Sequence, residues 1–71
     1  MTEKDYLLKI GANMTRIRKK RGLTINEVAM ECDMDKSNLI HIEKGRINVT
    51  FHTLYKIAAA LDSDVKEFFE S

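Results

Sequence analysis

Residues 24–45 read TINEVAMECDMDKSNLIHIEKG, and this stretch decides the fold. Thr24 and Glu27 have the spacing of a capping box. The threonine hydroxyl accepts from the backbone N–H of Glu27, whose carboxylate reaches back to the N–H of Thr24. A short helix therefore starts at Ile25 and runs to about Glu31, with Val28 and Ala29 turned inward. Asp33 and Met34 supply a turn. Asp35 is placed to cap a further helix, Lys36 to Lys44, and Gly45 stops it. At 100° per residue, Leu39 and Ile42 point to one side of this helix. Ser37, Ile40, His41 and Lys44 point to the other, toward solvent or a ligand.

Upstream, Leu7, Ile10, Met14 and Ile17 recur at helical spacing, which predicts a helix over about residues 4–21. Its last turn is basic (Lys19, Lys20, Arg21), which suits a helix C-terminus, and Gly22 follows as a stop. Gly11 lies inside this helix, where glycine is a weak link. Downstream, Arg46-Ile47-Asn48-Val49 form a loop. Thr50 caps a helix from Phe51 to Leu61 whose apolar face is Leu54, Ile57, Ala58 and Leu61. Asp64 opens a fifth short helix, with Glu67 placed for a second capping box and Val65, Phe68 and Phe69 apolar. The expectation is an all-α chain of five short helices over residues 1–71, forming one domain.

Composition fits that reading. Charged residues make up 32% and hydrophobic ones 44% of 71 residues, ordinary for a soluble globular chain. No apolar run approaches the roughly 18 residues of a membrane span. The N-terminus lacks signal-peptide character, and the single cysteine, Cys32, has no internal disulfide partner, so a cytoplasmic location is expected. The net charge of +1 conceals an asymmetry: residues 1–22 hold seven basic and two acidic side chains, a local +5. Residues 23–50 and 51–71 each come to −2. Such a distribution indicates either a polyanionic partner at one end or a solvated helix face.

Two short helices joined by a tight turn, each with its own N-cap, are the skeleton of a helix-turn-helix at about residues 24–44. In that motif the second helix enters the major groove while the first crosses the phosphate backbone. The chain resembles the Cro/repressor type of helix-turn-helix domain, also called the xenobiotic response element family. The resemblance runs from about Met14 to Phe69. It rests on Ile17-Arg18, Gly22-Leu23-Thr24, Val28-Ala29, Leu39, Ile42-Glu43-Lys44-Gly45, Leu54, Ile57-Ala58, Ala60-Leu61 and Phe68-Phe69 taken in order. It implies a lambda-repressor-like fold and a sequence-specific regulator of transcription that binds double-stranded DNA as a homodimer on a palindromic operator. Within the family, the short chain and Asn48-Val49-Thr50 look like restriction–modification controller proteins. Small prophage repressors look almost the same.

Lys36, Ser37, Ile40 and His41 are the base-reading candidates. Lysine can donate to guanine O6 and N7, and serine can hydrogen-bond several bases. Ile40 either meets a thymine methyl or is simply a singly exposed apolar residue. Thr24, Asn38, Lys44, Arg46 and Asn48 are the phosphate candidates, whose contacts would fix register without reading sequence. The family usually has glutamine at the first position of the second helix, and here it is Ile25. That removes one phosphate anchor, leaving Thr24 or the helix N-terminal N–H groups to substitute. The resemblance also implies a partly buried ion pair between Arg18 and Glu43.

Dimerisation is expected because one short helix reads few bases, while paired half-sites about 34 Å apart read enough. Val65, Phe68 and Phe69 are the candidate interface, with at least one phenylalanine inside the monomer's own core. Cys32 is expected to be a small buried hydrophobe and His52 a surface residue. His41 and His52 have no Cys/His companions at metal-ligand spacing, so neither a metal nor a cofactor nor a small-molecule ligand is expected. No nucleophile–base pair or phosphate loop supports an enzyme. The competing class is a protein-interaction role, such as the antitoxin of a toxin–antitoxin pair. Glu27 and Glu31 form an acidic face that would either meet RNA polymerase or be solvated. Ending soon after the fifth helix favours a stand-alone protein over a fragment.

Overall fold

The computed structural model describes residues 1–70, and among these the chain is all-helical, without a strand. Four α-helices follow one another: α1 Glu3–Lys20, α2 Ile25–Glu31, α3 Lys36–Glu43 and α4 Phe51–Ala60. The expected fifth helix forms as a 3-10 helix instead, Val65–Phe69. Its N–H groups reach three residues back, as in Glu67 N–H to the Asp64 carbonyl at 2.9 Å. The Asp64 carboxylate accepts from the backbone of Lys66 at 3.1 Å, so the second capping box with Glu67 does not form. So short a segment makes too few i→i−4 bonds to offset α-helix nucleation. Its end is held from outside instead. The Asn13 side-chain amide donates to the carbonyls of Phe68 and Glu70, at 2.7 and 2.8 Å.

The other helix starts follow their side chains. Thr24 and Glu27 form the expected box, at 3.1 Å from the Glu27 N–H to the hydroxyl and 2.8 Å from the Thr24 N–H to the carboxylate. Thr2 and Asp5 build the same box on α1, at 3.1 and 2.9 Å. In each box the backbone donor, followed by the hydroxyl, holds the carboxyl of Asp5 or Glu27 below the usual carboxylate range. Thr50 caps α4 by accepting from the Thr53 N–H at 3.2 Å. Asp35 occupies the N-cap of α3 in an extended conformation, but its side chain makes no capping hydrogen bond, contrary to expectation.

All four α-helices end alike. The residue after the C-cap turns to positive φ, and the next N–H bonds to the carbonyl five residues back. Gly22 and Gly45 serve α1 and α3, at φ 72° and 68°. Asp33 and Asp62 serve α2 and α4 at φ 54° and 52°, a conformation that short polar side chains tolerate better than others. Asp33 thereby sets the tight turn between α2 and α3.

One hydrophobic cluster gathers Ile10, Met14 and Ile17 of α1, Val28, Ala29 and Cys32 of the α2 region, and Leu39 and Ile42 of α3. Leu54, Ile57, Ala58, Leu61 and Phe68 complete it. Leu7, expected on the same stripe, is only half-buried. Burial pushes the Cys32 thiol up, and its Sγ lies 3.5 Å from the Lys56 carbonyl, as suits a small core residue. Gly11 proves to be where α1 and α3 nearly touch. A Cβ there would stand 2.2 Å from the Glu43 carbonyl oxygen and 2.7 Å from that of Ile42.

Candidate nucleic-acid interface

The α2–α3 pair is fixed on the body of the molecule from two sides. Leu39 and Ile42 anchor α3 in the core, at 0% and 4% exposure. At its C-terminal end, Glu43 Oε2 accepts from Arg18 Nε at 2.8 Å and Oε1 from Nη2 at 3.1 Å. The paired side chains are 11% and 7% exposed. Arg18 Nη1 also donates to the Leu23 carbonyl at 3.0 Å, and the Thr15 hydroxyl donates to Glu43 Oε1 at 2.8 Å. The ion pair thus joins α1, the start of the α2 region and the end of α3. A bidentate arginine–carboxylate contact fixes orientation as well as distance. Lys4 adds a bond from its ammonium to the Gly45 carbonyl, 3.0 Å.

The opposite face of α3 is free. Lys36, Ser37, Asn38, His41 and Lys44 are exposed. None of their side chains makes a hydrogen bond or ion pair among the described residues. Ile40 departs from the solvent-facing position expected for it. It is half-buried and lines a shallow hollow with Ile25, Thr15, Arg18, Lys19, Glu43 and Lys44. Its aliphatic character therefore has an explanation within the protein as well as at a thymine methyl. Arg46 and Asn48 stand exposed just beyond α3, and Thr24 stands exposed at the head of α2 with its hydroxyl engaged as a cap. Ile25 packs against the core, partly buried.

Val65 is half-buried and Phe69 is 44% exposed, whereas Phe68 is wholly inside the core. Phe68, named with the interface candidates, is the phenylalanine that lies inside the monomer's own core, and the turn that presents Phe69 outward drives its neighbour in. Phe51 and Tyr55, one helical turn apart on α4, are exposed at 68% and 59% and went unremarked in the sequence. Reading α4 for its buried stripe alone hides them. Asn13, Thr15 and Thr2 were also missed. Asn13 did carry a signal, a polar residue on the Ile10–Met14–Ile17 stripe, where only a partnered side chain can sit. His52 is exposed. Among the described residues no group of three or more His, Cys, Asp or Glu could hold a metal ion, and no helix is long and apolar enough to cross a membrane.

A family model described as helix-turn-helix matches residues 14–68, spanning α2, the turn, α3 and the packing around them. The chain belongs to the helix-turn-helix family. A control protein, C.MunI, of a Mycoplasma species is 32% identical over 66 residues, covering 92% of this chain and 89% of its own. An uncharacterised HTH-type transcriptional regulator, y4dJ, of Sinorhizobium fredii is 40% identical over 52 residues, 73% of this chain and 68% of its own. Among solved structures, the restriction–modification controller protein C.AhdI from Aeromonas hydrophila superposes with a TM-score of 0.85 at 32% identity. That match covers 89% of this chain and 96% of C.AhdI. The chain is a helix-turn-helix transcriptional regulator, and α3 stands where the motif carries its recognition helix.

Proposed function

We propose that this regulator binds a two-fold symmetric operator as a homodimer, in the manner of a restriction–modification controller. The observation that carries the reading is the outward face of α3. Lys36, Ser37 and His41 are exposed and unengaged, on a helix whose opposite side is locked into the core and bolted to α1. A rigid helix with free donors at its leading turns is what base-edge recognition in a major groove requires. Near full-length likeness to C.AhdI and C.MunI supports the controller assignment. Lys36, Ser37 and His41 read bases, with Ile40 beside them. Asn38, Lys44, Arg46 and Asn48 hold phosphates, and Thr24 keeps the α2 start in place. A second copy docks through the surface that displays Val65 and Phe69.

Selection of bound duplexes from a random pool tests this. Recovered sites should share a palindrome with half-sites one helical turn apart. Lys36→Ala and Ser37→Ala should each relax preference at particular bases by about 1–3 kcal/mol, while Arg46→Gln weakens all sites together. No enriched motif, or an asymmetric one, would sink the reading.

A further inference from the structure

The hollow beside Ile40 lies between the last turn of α1, the start of α2 and the end of α3, and it holds about 350 Å³. Ile25 and Ile40 supply its apolar lining, Arg18 and Glu43 neutralise each other within it, and Lys19 and Lys44 remain. Both lysines are exposed, and neither ammonium is paired among the described residues. Two uncompensated like charges beside an apolar, low-dielectric lining focus a positive potential there and favour an anion between them. Helical phase explains why Lys19 is here. Thr15, Arg18 and Lys19 share one face of α1, the face that bonds to Glu43. Lys20 falls with Arg16 on another face and lines a separate hollow near Leu61, Asp62 and Glu67.

We infer that Lys19 is a positioning residue: together with Lys44 it grips a backbone phosphate of the duplex that α3 reads. Ile25, apolar and packed on the core, offers no side-chain donor on this side of the hollow. The inference rests on the proposed docking of α3 and adds a residue of α1 to it. Sequence specificity does not pass through this contact. Register and salt dependence do.

The test is the salt dependence of affinity for a selected operator, measured on the full chain between 50 and 200 mM salt. Each neutralised phosphate contributes about 0.9 to the slope of log affinity against log salt; Lys44 alone does not seat the phosphate, so Lys19→Gln should lower the slope by about 1.8 in a dimer. Across that range the wild-type loss of affinity should then shrink by about tenfold. Lys19→Arg should keep the slope, and Lys20→Gln should leave it unchanged. An unaltered slope in a helical, DNA-binding Lys19→Gln protein would overturn the inference. So would an equal drop in Lys20→Gln, which would reveal diffuse attraction rather than a seated phosphate. A wild-type protein that binds no duplex would instead bring down the operator reading itself, and this contact with it.

Discussion

Arg18 shows how much one side chain can hold together. Nε and Nη2 meet Glu43, and Nη1 meets the Leu23 carbonyl, all at 2.8–3.1 Å and nearly sealed from water. Removing the arginine leaves a buried carboxylate with only the Thr15 hydroxyl for company, and breaking such a pair typically costs about 3–5 kcal/mol. In a domain this small each kcal/mol moves the melting temperature by about 4–8 °C, so Arg18→Ala should melt at least about 12 °C lower. DNA affinity should fall only as the folded fraction falls. Thermal unfolding by circular dichroism checks this, and an unchanged Tm would show that the pair is solvated and weak. The pair was legible through the family resemblance, because both residues lie at the margins of buried helix faces. Asn13 was not. Its place on the apolar stripe demands a partner without naming it, and the partners are carbonyls at the far end of the chain.

At the scale of elements, the sequence disclosed helices better than it disclosed how they meet. Periodicity and the Thr24–Glu27 box place α1 to α4 within a residue or so, and Gly22 and Gly45 mark two of the four ends. Asp62 marks another end equally well by geometry, yet an aspartate in a sequence suggests a cap or a surface charge before it suggests positive φ. The 3-10 helix was hard to read because the segment is short and its end is held by Asn13, far away along the chain. Gly11 makes the sharpest case. By propensity alone, Gly11→Ala should stabilise α1 by about 1 kcal/mol. A Cβ 2.2 Å from the Glu43 carbonyl oxygen opposes this, since backbone meets backbone and neither can swing aside. Forcing an extra carbon into a packed contact typically costs about 1–3 kcal/mol, and contact this close belongs at the upper end. Gly11→Ala should therefore lower the urea midpoint. Because α3 is the element pushed, operator affinity should drop further than stability alone explains. A raised midpoint would show that α1 and α3 can separate freely.

Taken whole, the molecule exposes 4573 Å², close to the roughly 4500 Å² expected of a compact monomer of its 8.2 kDa mass. A chain this small buries only about 60% of the surface it exposes when unfolded, which leaves a thin margin of stability. Dimerisation would widen that margin by mass action and make the melting temperature rise with protein concentration. The two neighbouring phenylalanines divide the work. Phe68, at 0% exposure, is committed to the monomer, so Phe68→Ala should cost about 3–5 kcal/mol of fold stability whatever the oligomeric state. Phe69, nearly half exposed and outside the hydrophobic cluster, can be replaced without opening a cavity in the core. Phe69→Asp should therefore keep the helical signal while sedimenting as a monomer at concentrations where the wild type is paired. Its melting temperature should lose its concentration dependence. Affinity for an isolated half-site should survive, because α3 is untouched, while the advantage of a full palindrome over a half-site should vanish. A Phe69→Asp protein that still sediments as a dimer would move the interface elsewhere, with the exposed Phe51–Tyr55 ridge of α4 the next surface to charge.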